Sequence, residues 1–184
     1  VEFEADMLVL HAQQIELNQV RQRVKELEKV IADLLACQSE LQAKATRDPL
    51  TGLANRQLLQ DRFVGARQRA KRLGGWFALL MIDLDGFKAI NDIHGHAAGD
   101  DVLVAVAQRL SAALRSCDTV ARVGGDEFVL IVECLSDPAE ILPIGRKLIT
   151  GLLAPIELRD GAQVAVGASV GLALYPDDGQ TLAD

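Results

Sequence analysis

Residues 122–132 read Arg-Val-Gly-Gly-Asp-Glu-Phe-Val-Leu-Ile-Val, and no other stretch constrains the fold as strongly. β-Branched and apolar runs at 119–123 and 127–132 flank a Gly-Gly-Asp tip. That pattern predicts a β-hairpin whose turn uses the freedom of Gly124 and Gly125 at positive φ. Asp126 and Glu127 are adjacent there. On extended backbone they point to opposite faces, but at a tip both can reach a metal or a phosphate above the sheet edge. An ordinary solvated turn carries the same residue types, so this stretch alone leaves both readings open.

The 184 residues leave room for one domain plus an extension, and a hydrophobic content of 49% suffices for a packed core. A net charge of -7 and a pI near 5.0 argue against a general nucleic-acid binder, which needs a basic face to neutralise phosphates. An anionic ligand must then be held by a metal or by a local cluster of Lys and Arg. Cys37, Cys117 and Cys134 are odd in number and widely spaced, with no CxxC pair, and read as free thiols in a reducing cytoplasm. No apolar run approaches the length of a membrane span, and Val1 opens a charged helical pattern rather than a signal peptide. Starting in mid-pattern, the chain is expected to follow an upstream segment in its parent protein.

From residue 10 to residue 45, apolar side chains recur at alternating spacings of three and four, with no Pro or Gly before Pro49. Leu10, Leu17, Val24, Ile31, Gln38 and Ala45 take a positions, and Gln13, Val20, Leu27, Leu34 and Leu41 take d positions. Val and Ile at central a positions with Leu at d favour two parallel strands, and Gln38 is a polar interruption that fixes register. Charges flanking the seam agree, because Glu16 would face Arg21 of a second copy and Arg23 would face Glu28. At 1.5 Å per residue, about 35 residues span roughly 50 Å, more than one small domain can cover. Residues 1–46 are therefore expected to form a coiled-coil homodimer.

Pro49 disfavours helix at Asp48, so a second domain begins near residue 47. Residues 56–73 form an Arg-rich helix with Leu58, Leu59, Phe63 and Ala66 on one face, stopped by Gly74 and Gly75. Residues 76–82 are a buried strand that runs into Asp83 and Asp85. These two carboxylates alternate, so they share a side if the strand continues, and at the end of a core strand they need a cation or hydrogen-bond donors. Hard oxygen ligands suit Mg²⁺, although for Asp85 we expect a cap on the following turn. Residues 86–99 read as a polar loop. Asn91 and Asp92 offer hydrogen bonds to a base edge or cap a turn, Lys88 offers a point charge to a phosphate, and His94 and His96 are candidate loop residues. A helix over 100–114, a helix over 138–153 broken at Pro143, a hairpin around Arg159-Asp160-Gly161 and a last strand over 168–175 complete the chain. Strand, helix, hairpin, helix and strand in this order make a split βαβ, α+β domain with an antiparallel sheet and helices on one face.

Four motifs then stand in order: residues 48–56 (Asp-Pro-Leu-Thr-Gly-Leu-Ala-Asn-Arg), 87–92 (Phe-Lys-Ala-Ile-Asn-Asp), 95–100 (Gly-His-Ala-Ala-Gly-Asp) and 124–128 (Gly-Gly-Asp-Glu-Phe). Residues 47–184 thereby resemble the GGDEF domain of bacterial diguanylate cyclases. The resemblance implies a palm-like, nucleotide-cyclase-like fold and the condensation of two GTP molecules to cyclic di-GMP with release of two pyrophosphates. By position it implies that Asp83, the backbone carbonyl of Leu84, Asp126 and Glu127 hold two Mg²⁺ (or Mn²⁺) ions per site. It makes Asp126 the proton acceptor, with Glu127 in the same acidic catalytic cluster. Asn91 and Asp100 would read guanine, with His96, Lys88, Gly124 and Gly125 among the substrate-binding positions. Arg115 and Asp118 match the family's RxxD inhibitory site for the product. Each domain would hold one GTP, so the coiled-coil homodimer would bring two sites together under control of an upstream sensory domain, in the cytoplasm, with neither nucleic acid nor a membrane segment involved.

One departure stands out. The family continues past residue 184 with Lys- and Arg-bearing segments that hold the triphosphate, and their absence here puts the activity of this stretch by itself in question. Two rival readings are a catalytically silent copy that binds GTP or cyclic di-GMP, and a coiled-coil scaffold. Intact acids at Asp83, Asp126 and Glu127 weigh against both.

Overall fold

The computed structural model describes residues 2–182, leaving aside the side chains of 2–13, 15–17, 39, 40 and 43. The chain divides into two units, Val1–Ala45 and Thr46–Asp184. The first is carried by a single helix, α1 (Glu2–Thr46). Its apolar side chains at Val20, Val24, Leu27, Ile31, Leu34 and Leu41 are 46–64% exposed. Leu10, Gln13 and Leu17 of the expected seam, and Glu16 flanking it, lie outside the described side chains.

In the second unit, Asn55 opens α2 (Arg56–Leu73) by accepting from the amides of Gln57 and Leu58, and Gly74 closes it at a positive φ. Next comes β1 (Trp76–Asp85), which runs through both acids rather than stopping before them. Then come α3 (Phe87–His94), α4 (His96–Ala113), β2 (Thr119–Arg122) and β3 (Glu127–Leu135). A 3₁₀ turn (Pro138–Glu140) leads into α5 (Ile141–Leu152). Pro143 falls in the first turn of α5, where its missing N–H has no helical partner to lose, so the helix starts there rather than breaking. A short hairpin, β4 (Ile156–Glu157) with β5 (Gln163–Val164), precedes β6 (Gly167–Tyr175).

The main sheet has the order β2-β3-β1-β6 and is antiparallel throughout. Ala78, Leu80, Ile82 and Leu84 of β1, with Phe128, Leu130 and Val132 of β3, bury one face against α3, α4 and α5. The opposite face packs Phe77, Val129, Ile131 and Tyr175 against Leu59, Phe63 and Ala66 of α2. Helices therefore cover both faces, correcting the expectation of one. The continuous apolar runs of β1 and β3 demand this, since a sheet with one wet face alternates instead.

The segment expected as a loop over 86–99 is mostly helical. Gly86 and Gly95, both with φ of 83°, bracket α3, and Ile90 and Phe87 pack it onto the core. Tertiary burial here overrides the low helix propensity of Asn, Asp and His.

Candidate active site

Strand register assembles the acidic site. Asp83 lies opposite Glu127 across the β1–β3 ladder. Because Ile82, Leu84 and Phe128 point into the core with α3–α5, Asp83 and Glu127 share the other face, the one α2 covers farther along. Cross-strand partners sit about 5 Å apart at Cβ, and like charges so placed repel. Among the described residues, neither carboxylate, nor that of Asp126, has an ion-pair partner. Two exposed, facing, unneutralised carboxylates fit a hard divalent cation, which takes one or two protein carboxylates and completes its shell with phosphates and water. Among the described residues no group of three His, Cys, Asp or Glu converges on one point, so Asp126 does not complete a ready-made cage. The Leu84 side chain is 3% exposed in the core, leaving only its main chain as a ligand.

The tip differs from its expected build. Neither Gly124 nor Gly125 has a positive φ. At Gly124 a Cβ would stand 2.8 Å from Glu127 Oε2, the end of an exposed side chain that would have to swing aside. The tip is held by the Val123 amide donating to the Glu127 carbonyl and by Arg122, whose Nε and second guanidinium nitrogen donate to the Gly125 carbonyl at 3.0 and 2.8 Å. The remaining guanidinium nitrogen of Arg122 reaches both oxygens of Asp48 at 3.2 Å. Asp48 in turn accepts from the Thr51 amide at 2.8 Å and hydroxyl at 2.6 Å. Burial pushes the Asp48 carboxyl up, but the Thr51 hydroxyl and amide and the Arg122 guanidinium outweigh it and hold it below the usual carboxylate range. Arg122 and Asp48 were not among the residues singled out for function. Their only sequence signals are the Asx-type turn Asp-Pro-Leu-Thr and an Arg two positions before the glycines.

Asp85 is not a turn cap. It accepts from the Ser169 hydroxyl of β6 at 2.9 Å and lies over Gly167. Directly beyond it, α3 and α4 bring Asn91 beside Gly99, where a Cβ would sit 2.0 Å from Asn91 Oδ1. Asp100 follows Gly99 on α4 and is exposed. Lys88 and His96 are exposed in the first turns of α3 and α4.

Arg115 and Asp118 line a cavity of about 400 Å³ together with Arg47, Arg62 and Ser111. Asp118 shapes this loop, accepting from the amides of Arg115 at 2.9 Å and Glu133 at 3.0 Å. The three cysteines are free and exposed. Among the described residues, no helix is long and apolar enough to cross a membrane.

Comparison with known proteins identifies the family. The family model "Diguanylate cyclase, GGDEF domain" matches residues 45–184. The bifunctional diguanylate cyclase/cyclic di-GMP phosphodiesterase MucR of Pseudomonas aeruginosa is 46% identical over 160 residues, 86% of this chain but 23% of MucR. The solved GGDEF domain of TpbB from the same organism is 44% identical, with a TM-score of 0.72 over 74% of this chain and 80% of that one. The coiled coil and GGDEF domain of DgcB from Caulobacter crescentus, solved in complex with c-di-GMP, is 25% identical, with a TM-score of 0.77 over 85% of this chain and 83% of that one. By sequence and by fold, this chain belongs to the diguanylate cyclase GGDEF-domain family.

Proposed function

We propose that the chain is the catalytic part of a diguanylate cyclase, joining two GTP molecules into cyclic di-GMP. The observation that carries this reading is the Asp83–Glu127 pair, two like charges facing each other across the ladder, a repulsion that a bound cation would relieve. Asn91 and Asp100 read the guanine edge, an amide and a carboxylate supplying the acceptors and donors that the base requires. Lys88, His96 and the backbone at Gly124 and Gly125 orient the phosphates. Asp83, Glu127, Asp126 and the Leu84 carbonyl are the groups that would hold Mg²⁺ or Mn²⁺. Bound there, such ions supply activation of a 3′-hydroxyl and neutralisation of charge on the α-phosphate and pyrophosphate. In each of two transfers, a 3′-oxygen bonds to an α-phosphorus, pyrophosphate leaves, and the hydroxyl proton passes to Asp126.

One domain holds one GTP, so two chains must meet. The exposed seam of α1 supports a parallel coiled coil that raises the effective concentration of one site for the other, and an upstream sensory domain would set its geometry. DgcB, solved with a coiled coil beside its GGDEF domain, supports reading α1 as a coiled coil. Arg115, facing a cavity with two further arginines, supports product feedback there by cyclic di-GMP. The substrate belongs to the cytoplasm, and so does the site.

The test is incubation of the full-length parent protein with GTP and Mg²⁺, with chromatographic assay of cyclic di-GMP and pyrophosphate. Turnover lost in Asp126→Ala, and feedback lost in Arg115→Ala, is the expected outcome. Cyclic di-GMP binding without turnover in the wild type would instead favour a silent regulatory copy.

A further inference from the structure

Two exposed thiols, Cys117 and Cys134, come together at the base of the β2–β3 hairpin, the end away from its Gly-Gly-Asp-Glu tip. The last pair of that ladder is Thr119 with Ile131. Cys117 lies two residues before Thr119, so continuing the register gives it the place opposite Glu133. Strand β3 is irregular there. Trp76 pairs with Leu135 and Ala78 with Val132, so Glu133 and Cys134 together stand against Phe77, a bulge with one extra residue. Both residues of the bulge thus occupy the place that faces Cys117.

Hydrogen bonds fix the approach. A single oxygen of Asp118, Oδ1, accepts from the Cys117 thiol at 3.8 Å and from the Glu133 amide at 3.0 Å. The Cys117 sulfur is therefore no farther from the main chain beside Cys134 than those two bonds together. Cys134 has a φ of 58°, the only positive value outside glycine among the described residues, and it is exposed between buried Glu133 and Leu135. Only its surroundings can hold a side-chain-bearing residue in that conformation. Neighbours across a ladder stand about 4.5–5.5 Å apart at Cα, within the roughly 4.4–6.8 Å that a disulfide spans. The two thiols also sense each other electrostatically: desolvation and the Asp118 carboxylate push the Cys117 thiol up, and Cys134 adds to the effect.

We infer that Cys117 and Cys134 are a modification site, oxidised by hydrogen peroxide to a reversible disulfide across the base of the hairpin. The Cys117 thiol, held protonated, is slow to react, so the Cys134 sulfur attacks the peroxide, breaks its O–O bond and becomes a sulfenic acid as one water leaves. The Cys117 sulfur then bonds to that sulfur, giving up its proton and displacing the second water. Two thiols lose two electrons and two protons, and one peroxide becomes two waters. The bond ties the loop of Arg115 and Asp118 to β3 and takes the thiol donor away from Asp118. In a reducing compartment such bonds are transient, which suits a sensor.

The test is exposure of the full chain, carrying Cys37→Ser so that α1 contributes no thiol, to hydrogen peroxide, followed by denaturation, alkylation and tryptic mapping without reductant. Trypsin cuts after Arg115, Arg122 and Arg146, so the bond joins residues 116–122 to residues 123–146. The expected result is that joined peptide, from a chain of monomer mass on a non-reducing gel, with both cysteines open to alkylation again after dithiothreitol. Cys117→Ser and Cys134→Ser should each yield no joined peptide. Dithiothreitol should lower the urea midpoint of the oxidised protein and leave both variants unmoved, because a disulfide constrains the unfolded chain. Two alkylated cysteines after peroxide, sulfinic acids on unjoined peptides, or a covalent dimer through these residues would overturn the inference. So would an oxidised form less stable than the reduced one, since the bond would then have to distort the fold.

Discussion

Replacing Gly99 with Ala separates guanine binding from stability more cleanly than removing any polar group. The new Cβ would stand 2.0 Å from Asn91 Oδ1, 2.9 Å from Asn91 Cγ and 3.2 Å from Phe87 Cζ. Ordinary non-bonded contact begins near 3.5 Å, so the Asn91 oxygen must retreat by about 1.5 Å. It is the end of a flexible side chain, and rotation away from Gly99 also turns it from the base edge it is proposed to read. Loss of that pairing costs about 1–3 kcal/mol, or roughly 5- to 150-fold in affinity. Stability moves little: Ala gains about 1 kcal/mol over Gly inside a helix, against an overpacking cost of about 1–3 kcal/mol. Calorimetry with GMP, beside urea unfolding of the same variant, checks both halves. Wild-type affinity for GMP in Gly99→Ala would refute the placement of guanine at Asn91.

Further predictions concern the brace behind the tip and the helix. Arg122 and Asp48 are only 15% and 16% exposed, so Arg122→Ala breaks a largely buried pair and should destabilise the domain by about 3 kcal/mol in urea unfolding; an unchanged midpoint would remove the brace from the account. The folded-state carboxyl of Asp48 lies below its unfolded value of about 3.9, so its stabilisation is present above that pH and disappears as pH falls through the lower folded value. Asp48→Asn should therefore flatten the acid limb of the stability–pH curve, and superimposable limbs would contradict this. Leu27→Glu with Leu34→Glu, both exposed on α1, should yield monomers by light scattering; a dimer mass would rule out the zipper.

What could be read from residues alone follows a physical line. The bounds of α2 match the expected 56–73 because both ends carry their own signals, the Asn55 cap and Gly74 at positive φ. The strands were visible as apolar runs, but length was not: β1 carries Asp83 and Asp85 within its ladder because β6 continues to pair with them. Helix α3 was hidden, since eight residues rich in Asn, Asp and His have no local reason to be helical. Its stability comes from Ile90 and Phe87 meeting the core, a fact of tertiary packing. The acidic residues themselves were visible, whereas which of them face each other was not. Only register could set Asp83 opposite Glu127, and only the fold could bring Arg122 to Asp48, 74 residues away.

The central claim, that Asp83 and Glu127 oppose each other to receive a cation, is tested most directly by thermal unfolding of Asp83→Asn with and without Mg²⁺. Without the ion, the variant should be more stable than wild type by about 0.2–1 kcal/mol, because a like-charge cross-strand pair has been relieved. With Mg²⁺ and 3′-deoxy-GTP present, wild type should gain stability and the variant should gain little. A metal-free variant less stable than wild type, or an equal response to the ion in both proteins, would contradict the account.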